Sequence, residues 1–164
     1  MIPFEPMWNE LKRIIKPNGA IVLFWSEPFS SALRMSNLKM YKYDWIWEKN
    51  IWTNFMNVKK QPNRSYEKII VFYRKQPTYN PQMIEWKPYR DNRKTDQRTK
   101  TEAIWSRAKY IQQDNNWYRY PNWTIHISSR NNNPLHPTQK PVALIEYLIK
   151  TYTNEWETVL DFTA

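Results

Sequence analysis

No cysteine occurs in this 164-residue chain, so disulfides, thiolate metal sites and a thiol nucleophile are excluded. Histidine is almost as scarce: only His126 and His136 are present, too few for a histidine-rich metal centre. No apolar run approaches the roughly 18 residues that would span a bilayer. The opening "MIPFEPMWNE" lacks the basic-then-apolar order of a secretory signal. The expectation is a cytoplasmic protein without a membrane partner. Glycine is the sharpest shortage, with one residue against ten tryptophans. Average usage near 7% would supply about 11 glycines. A chain with many turns normally places glycine where φ is positive or where backbones approach closely.

Charge is present in excess of one sign. The net charge is +10, and it is unevenly spread. Residues 1–75 hold 13 Lys/Arg against 6 Asp/Glu, residues 76–133 hold 10 against 5, and residues 134–164 hold 2 against 4. A basic body with a slightly acidic tail suits an anionic partner.

Local patterning gives a mixed α/β reading. In "PFEPMWNELKRIIKPNGAIVLF", Glu5 and Pro6 suit a helix start, and Met7, Leu11, Ile14 and Ile15 keep helical spacing. Pro17-Asn18-Gly19 ends that helix, and Ala20–Phe24 reads as a central strand buried on both faces. A short helix is expected from about Ser30 to Asn37. "YKYDWIWEK" alternates, with Tyr41, Tyr43, Trp45 and Trp47 on one face, and "EKIIVFYRK" is a second strand able to pair with it antiparallel. Residues 76–133 are polar, proline-bearing and weakly periodic, and read as an insertion. From Pro141 a helix follows, its face marked by Val142, Ile145, Leu148, Ile149 and Tyr152, and "TVLDF" at 158–162 reads as a buried strand.

The tail "HPTQKPVALIEYLIKTYTNEWETVLDFTA" makes the chain recognisable. It resembles the C-terminal half of the β-group of DNA amino-methyltransferases, which make N6-methyladenine or N4-methylcytosine. In that family an H-P-x-x-K-P segment leads into a helix, then a strand, then an F-x-G-x-G loop that holds S-adenosyl-L-methionine. His136, Pro137, Lys140 and Pro141 match the first part, Asp161 and Phe162 match the strand end, and Thr163 occupies the next place. From end to end the element order is similar to phage-type members.

The resemblance implies a partial Rossmann-like methyltransferase sheet with a polar basic insertion. The expected division is residues 1–75 as half of the catalytic domain, 76–133 as the target-recognition insertion, and 134–164 as a cofactor-side element. It further implies a site-specific DNA methyltransferase acting on an exocyclic amine, adenine N6 by overall similarity, with double-stranded DNA as partner. Cofactor contacts are expected from His136, Pro137, Thr138, Lys140, Pro141, Asp161, Phe162 and Thr163. Phosphate or base contacts are expected from Arg90, Arg93, Lys94, Arg98, Lys100, Arg107, Lys109, Arg119 and Arg130, interleaved with tyrosines that could stack on bases.

Two family parts have no match. The base-holding motif (D/N/S)-P-P-(Y/F/W) is absent, because no Pro-Pro pair occurs anywhere. No catalytic residue is therefore assigned, and the motif is expected upstream of Met1. The glycine-rich loop would begin after Ala164. Methyl transfer needs amine and methyl held at near-attack distance. The expectation is therefore a fragment, inactive alone. The alternatives are a non-catalytic DNA-binding remnant and a module completed by another chain.

The glycine shortage has a candidate explanation in the tryptophans. Trp8, Trp45 and Trp47 sit in well-patterned elements, and Trp45 and Trp47 read as core aromatics. Trp25 and Trp156 stand where a turn calls for glycine, and Trp52, Trp86, Trp105 and Trp117 have loop-like surroundings. The codon UGA is read as tryptophan in some genetic codes and as glycine in others, so one misreading would deplete glycine and enrich tryptophan together.

Overall fold

The computed structural model describes residues 3–88, 117–130, 135–136 and 138–162. Two compact units divide the chain: residues 1–82 with 122–164, and residues 83–121. In the larger unit the order is α1 (Phe4–Ile14), β1 (Ile21–Trp25), α2 (Phe29–Ser36), β2 (Tyr41–Thr53), β3 (Arg64–Phe72), β6 (Thr124–His126) and α3 (Val142–Tyr152). The smaller unit contributes a two-stranded ribbon, β4 (Ile84–Glu85) with β5 (Tyr118–Arg119).

The main sheet has the order β1-β3-β2-β6. β3 is antiparallel to both β1 and β2, while β6 is parallel to β2. Side chains alternate across the sheet and build two cores. One face carries Ile21, Ile70 and Phe72 against Met7, Trp8 and Leu11 of α1 and Leu33 of α2. The other carries Trp45, Trp47, Ile69, Val71 and Ile125 against Leu144, Leu148 and Tyr152 of α3. Helices therefore cover both faces, the layering of an α/β domain. The antiparallel pairing of the two aromatic-rich strands is as the alternation suggested.

Trp8, Trp45 and Trp47 are core residues with satisfied indoles. Their Nε1 groups donate to Ser36 Oγ at 2.8 Å, Tyr152 Oη at 2.6 Å and the Ile127 carbonyl at 2.8 Å. The lone Gly19 is explained by close approach. A Cβ there would sit 2.7 Å from Ile15 Cδ1, so the helix-to-strand turn packs against its own preceding residue.

Five sequence expectations change. Ala20–Phe24 was expected as a central strand, but β1 is an edge strand of the described sheet. Its continuous apolar character reflects helices on both faces rather than strands on both sides. Tyr41 does not share the face of Tyr43, Trp45 and Trp47. A bulge opposes Tyr41 to Phe72 and Tyr43 to Val71, so the extra residue turns Tyr41 towards the α1 side. In α3 the buried residues are Leu144, Leu148, Thr151 and Tyr152, whereas Val142 is exposed. That helix is apolar nearly all round, so periodicity alone could not choose its inner face. Residues 158–162 form no strand, and Val159 and Leu160 are exposed, because no neighbouring strand pairs with them among the described residues. Trp25 is half buried, edge-on to Phe29 at 6.4 Å, and is not a positive-φ position.

Candidate functional site

The shared direction of β1, β2 and β6 puts their carboxyl ends on one edge of the sheet. Ligands of open α/β folds bind at that edge. Two carboxylates organise it.

Glu27 follows β1. Its Oε1 accepts from Lys68 Nζ at 2.6 Å and Arg34 Nη2 at 2.7 Å, and its Oε2 accepts from Ser31 Oγ at 2.7 Å. The Lys68 ammonium, followed by serine donors of α2, holds the Glu27 carboxyl well below the usual carboxylate range. Arg34 continues the chain of charges to Asp44 on β2. With its oxygens so engaged, Glu27 acts as a clasp between α2 and β3 and not as a general base. A shallow recess beside it is lined by Ser26, Glu27, Arg64, Tyr66, Glu67 and Lys68.

Glu67 is the second. Its Oε1 accepts from Lys49, and its Oε2 lies 3.4 Å from Lys140 Nζ. Lys49 stands over the Trp47 ring at 5.0 Å and Lys140 over the Phe24 ring at 5.5 Å. All three charged side chains are less than a third exposed. Two ammonium groups thus share one carboxylate. Among the described residues these two cations thus have a single shared anion at the sheet edge, an arrangement that suits a ligand carboxylate or phosphate.

Lys140 brings the H-P-x-x-K-P turn to this edge. Within the turn the Thr138 N–H donates to His136 Nδ1 at 3.2 Å, the Thr138 hydroxyl lies 2.8 Å from the same nitrogen, and the Gln139 N–H donates to the His136 carbonyl at 3.0 Å. The Leu135 N–H donates to Gln139 Oε1 at 2.8 Å. His136 therefore shapes the turn through Nδ1. Pro141 is buried at the start of α3. Asp161 and Phe162 lie beyond α3 in exposed chain, and Pro137 and Thr163 fall outside the described residues.

Of the expected DNA-facing residues, Arg90, Arg93, Lys94, Arg98, Lys100, Arg107 and Lys109 lie outside the described residues. Arg119, in the smaller unit, places its guanidinium over the Trp86 ring at 4.8 Å. Arg130, in the larger unit, is exposed, and its N–H donates to Ser128 Oγ at 3.2 Å. Beside it, Ser129 donates through both N–H and Oγ to Asn50 Oδ1 at 2.9 Å, which ties this stretch to β2 at the same carboxyl edge.

A family model of N6/N4 DNA methylases matches residues 3–164. The chain belongs to the DNA methylase family. No curated protein matches the chain. Among solved structures, the crystal structure of an M1.HpyAVI–SAM complex matches 94% of this chain and 62% of its own, at a TM-score of 0.56 and 20% identity. That similarity supports the α/β fold, and this chain spans 62% of the length of that protein. No helix among the described residues is long and apolar enough to cross a membrane.

Besides Glu27, both Glu67 and Lys49 are site residues that the sequence did not single out. Within "SYEKII" and "WEKN" they look like the solvated face of alternating strands. Only the register, with Trp47 opposite Glu67, brings them beside each other and beneath Lys140.

Proposed function

We propose that this chain is part of a site-specific DNA methyltransferase. The reaction moves a methyl group from S-adenosylmethionine to an exocyclic base amine, with adenine N6 as the leading target. The observation that carries the reading is the DNA methylase family match over residues 3–164.

The residues present fit the chemistry of S-adenosylmethionine. Lys49 and Lys140, which share the one Glu67 carboxylate among the described residues, suit its carboxylate. Lys140 would hold that carboxylate, with Thr138 and the His136 ring shaping the turn beside it. Asp161 and Phe162 would serve its hydroxyl and flat aromatic parts. When bound, the cofactor supplies a sulfonium-activated methyl group. The contribution of this chain is to bind and orient, because it contains no Pro-Pro motif to receive the base. On the DNA side, Arg119, Arg130 and the basic residues between 90 and 109 would neutralise phosphates.

A second reading is favoured by a specific feature. Among the described residues β1 has no strand on its outer edge, and the apolar side chains Val159, Leu160 and Phe162 are exposed. An unpaired apolar edge invites another strand. A complementing polypeptide that carries the base-holding motif would complete the sheet and the reaction centre together. Without one, the chain is a DNA-binding module.

Radiolabelled S-adenosylmethionine and unmethylated duplex DNA, incubated with the purified 164-residue chain, test this. Salt-dependent duplex binding with no methyl transfer is expected. Label in the DNA from the chain alone would overturn its dependence on further polypeptide, and absence of duplex binding would overturn the DNA methyltransferase reading.

A further inference from the structure

The ribbon formed by β2 and β3 outruns the rest of the sheet. β1 ends with Trp25 opposite Lys68, and β6 ends with His126 opposite Glu48. The ribbon continues to the pair Thr53 and Arg64. Four further residues of β3 carry it about 13 Å past β1 at 3.3 Å per residue. It leaves from the carboxyl edge, beside the Glu67–Lys140 cluster.

The tip of this ribbon is folded. Asn54 adopts a left-handed conformation, φ 71°, and its Oδ1 accepts from Asn57 Nδ2 at 2.7 Å. Phe55–Asn57 form a 3-10 turn, and the Lys60 and Gln61 N–H groups donate to the Asn57 carbonyl at 2.9 and 3.0 Å. On this framework Phe55 is 74% exposed and Met56 86% exposed. Lys59, Lys60 and Arg64 flank them, and no acidic residue occurs between Lys49 and Glu67.

We propose that this hairpin is a second duplex-DNA contact, separate from residues 76–133. Lys59 and Lys60 lie on backbone phosphates, and Phe55 and Met56 form an apolar wedge at the bases. The inference rests on the DNA methyltransferase reading and deepens it. A two-stranded ribbon fits the major groove, cations beside it meet phosphate charge, and apolar side chains are the groups that enter opened base steps. An enzyme that works on an exocyclic amine must take the base out of the stack, leaving a gap to be filled. Placement at the carboxyl edge puts the wedge on the side where the extruded base would be received.

The test uses the full 164-residue chain, a mixed-sequence DNA duplex and two exposed double variants, Lys59→Ala/Lys60→Ala and Phe55→Ala/Met56→Ala, each checked for an unchanged melting temperature. The lysine variant should lower the log–log salt slope of duplex binding by about 2, near 0.9 per lost phosphate contact. The wedge variant should leave that slope in place but weaken duplex binding about tenfold, the scale of losing apolar contact at one or two bases. If the parent chain binds duplex and neither variant differs from it, the hairpin inference is overturned while the DNA reading stands. If the parent chain does not bind duplex, both fall.

A different observation carries a second inference. Trp156 has φ 67° and is 99% exposed, in a turn where the Glu157 N–H donates to the Asn154 carbonyl at 3.3 Å. Asn54 is the only other positive-φ residue described, and asparagine tolerates that region. Bulky residues rarely do. Trp52, Trp86 and Trp117 are also more than half exposed, whereas Trp8, Trp45 and Trp47 are buried. We infer that position 156 is a glycine in the protein its source cell makes, with UGA as its codon. The gene should show UGA at 156 and UGG at 8, 45 and 47, and the matching peptide from the source cell should have the mass expected for glycine. UGG at position 156 overturns the inference.

Discussion

Lys140 Nζ lies 3.4 Å from Glu67 Oε2, and the same carboxylate accepts from Lys49. One anion on β3 thereby fixes the lysine of the H-P-x-x-K-P turn to the sheet. Glu67→Ala would leave two partly buried ammonium groups facing each other. Loss of a charged hydrogen-bond partner at a partly buried site costs about 1–3 kcal/mol. Urea unfolding should register that loss. A Glu67→Gln variant, which keeps an acceptor, should recover part of it.

Tyr152 joins α3 to the sheet through its hydroxyl. The oxygen accepts from Trp45 Nε1 at 2.6 Å and lies 2.8 Å from the Tyr43 hydroxyl. Tyr152→Phe removes the acceptor of the buried Trp45 indole N–H, so a loss of about 1–3 kcal/mol is expected. Near-ultraviolet circular dichroism, which reports the Trp45 environment, should change with it. Burial also pushes the Tyr152 phenol far above its ordinary value of 10.0. A group with a raised folded pKa stabilises fully below its unfolded pKa, and the contribution fades as pH rises beyond it. The parent chain should therefore lose stability above about pH 10, and Tyr152→Phe should lose less over that range.

Glu27 sets the acid limb. Its carboxyl is held down by Lys68 and by serine and Arg34 donors, so its folded pKa lies below the ordinary 4.5. A depressed carboxyl stabilises above its unfolded pKa, and that contribution disappears as pH falls below it. Thermal melts between about pH 6 and pH 2 should steepen below pH 4.5 in the parent and flatten in Glu27→Gln. Because the Glu27 side chain is 37% exposed, added salt should blunt the difference.

Periodicity made α1, β2 and β3 legible, because each keeps one polar and one apolar pattern over enough residues to fix its type. It could not show that β1 stands at an edge, since an apolar run reports covered faces and not paired neighbours. For the same reason "TVLDF" promised a strand, and none forms there among the described residues. The Tyr41 face was hidden by a bulge, which leaves no mark in an alternating string. At the site, Lys140 was legible through its motif. Glu67 was not, because its role exists only once β2 and β3 are in register.

Trp156 offers a stability test that is independent of any codon. A non-glycine residue in the left-handed region carries a penalty of about 1–2 kcal/mol. Glycine carries none there, but it gives up more chain entropy on folding, about 0.5–1 kcal/mol. The indole is 99% exposed and has no buried surface to lose. The balance favours Trp156→Gly by roughly 0.5–1 kcal/mol, or about 1–4 °C in melting temperature for a chain of this size. Trp156→Ala keeps the left-handed penalty and should leave the melting temperature close to that of the parent. Equal melting temperatures for the glycine and alanine variants would mean that the turn at Asn154–Glu157 relaxes to accept either residue. Differential scanning calorimetry of the three proteins separates these outcomes.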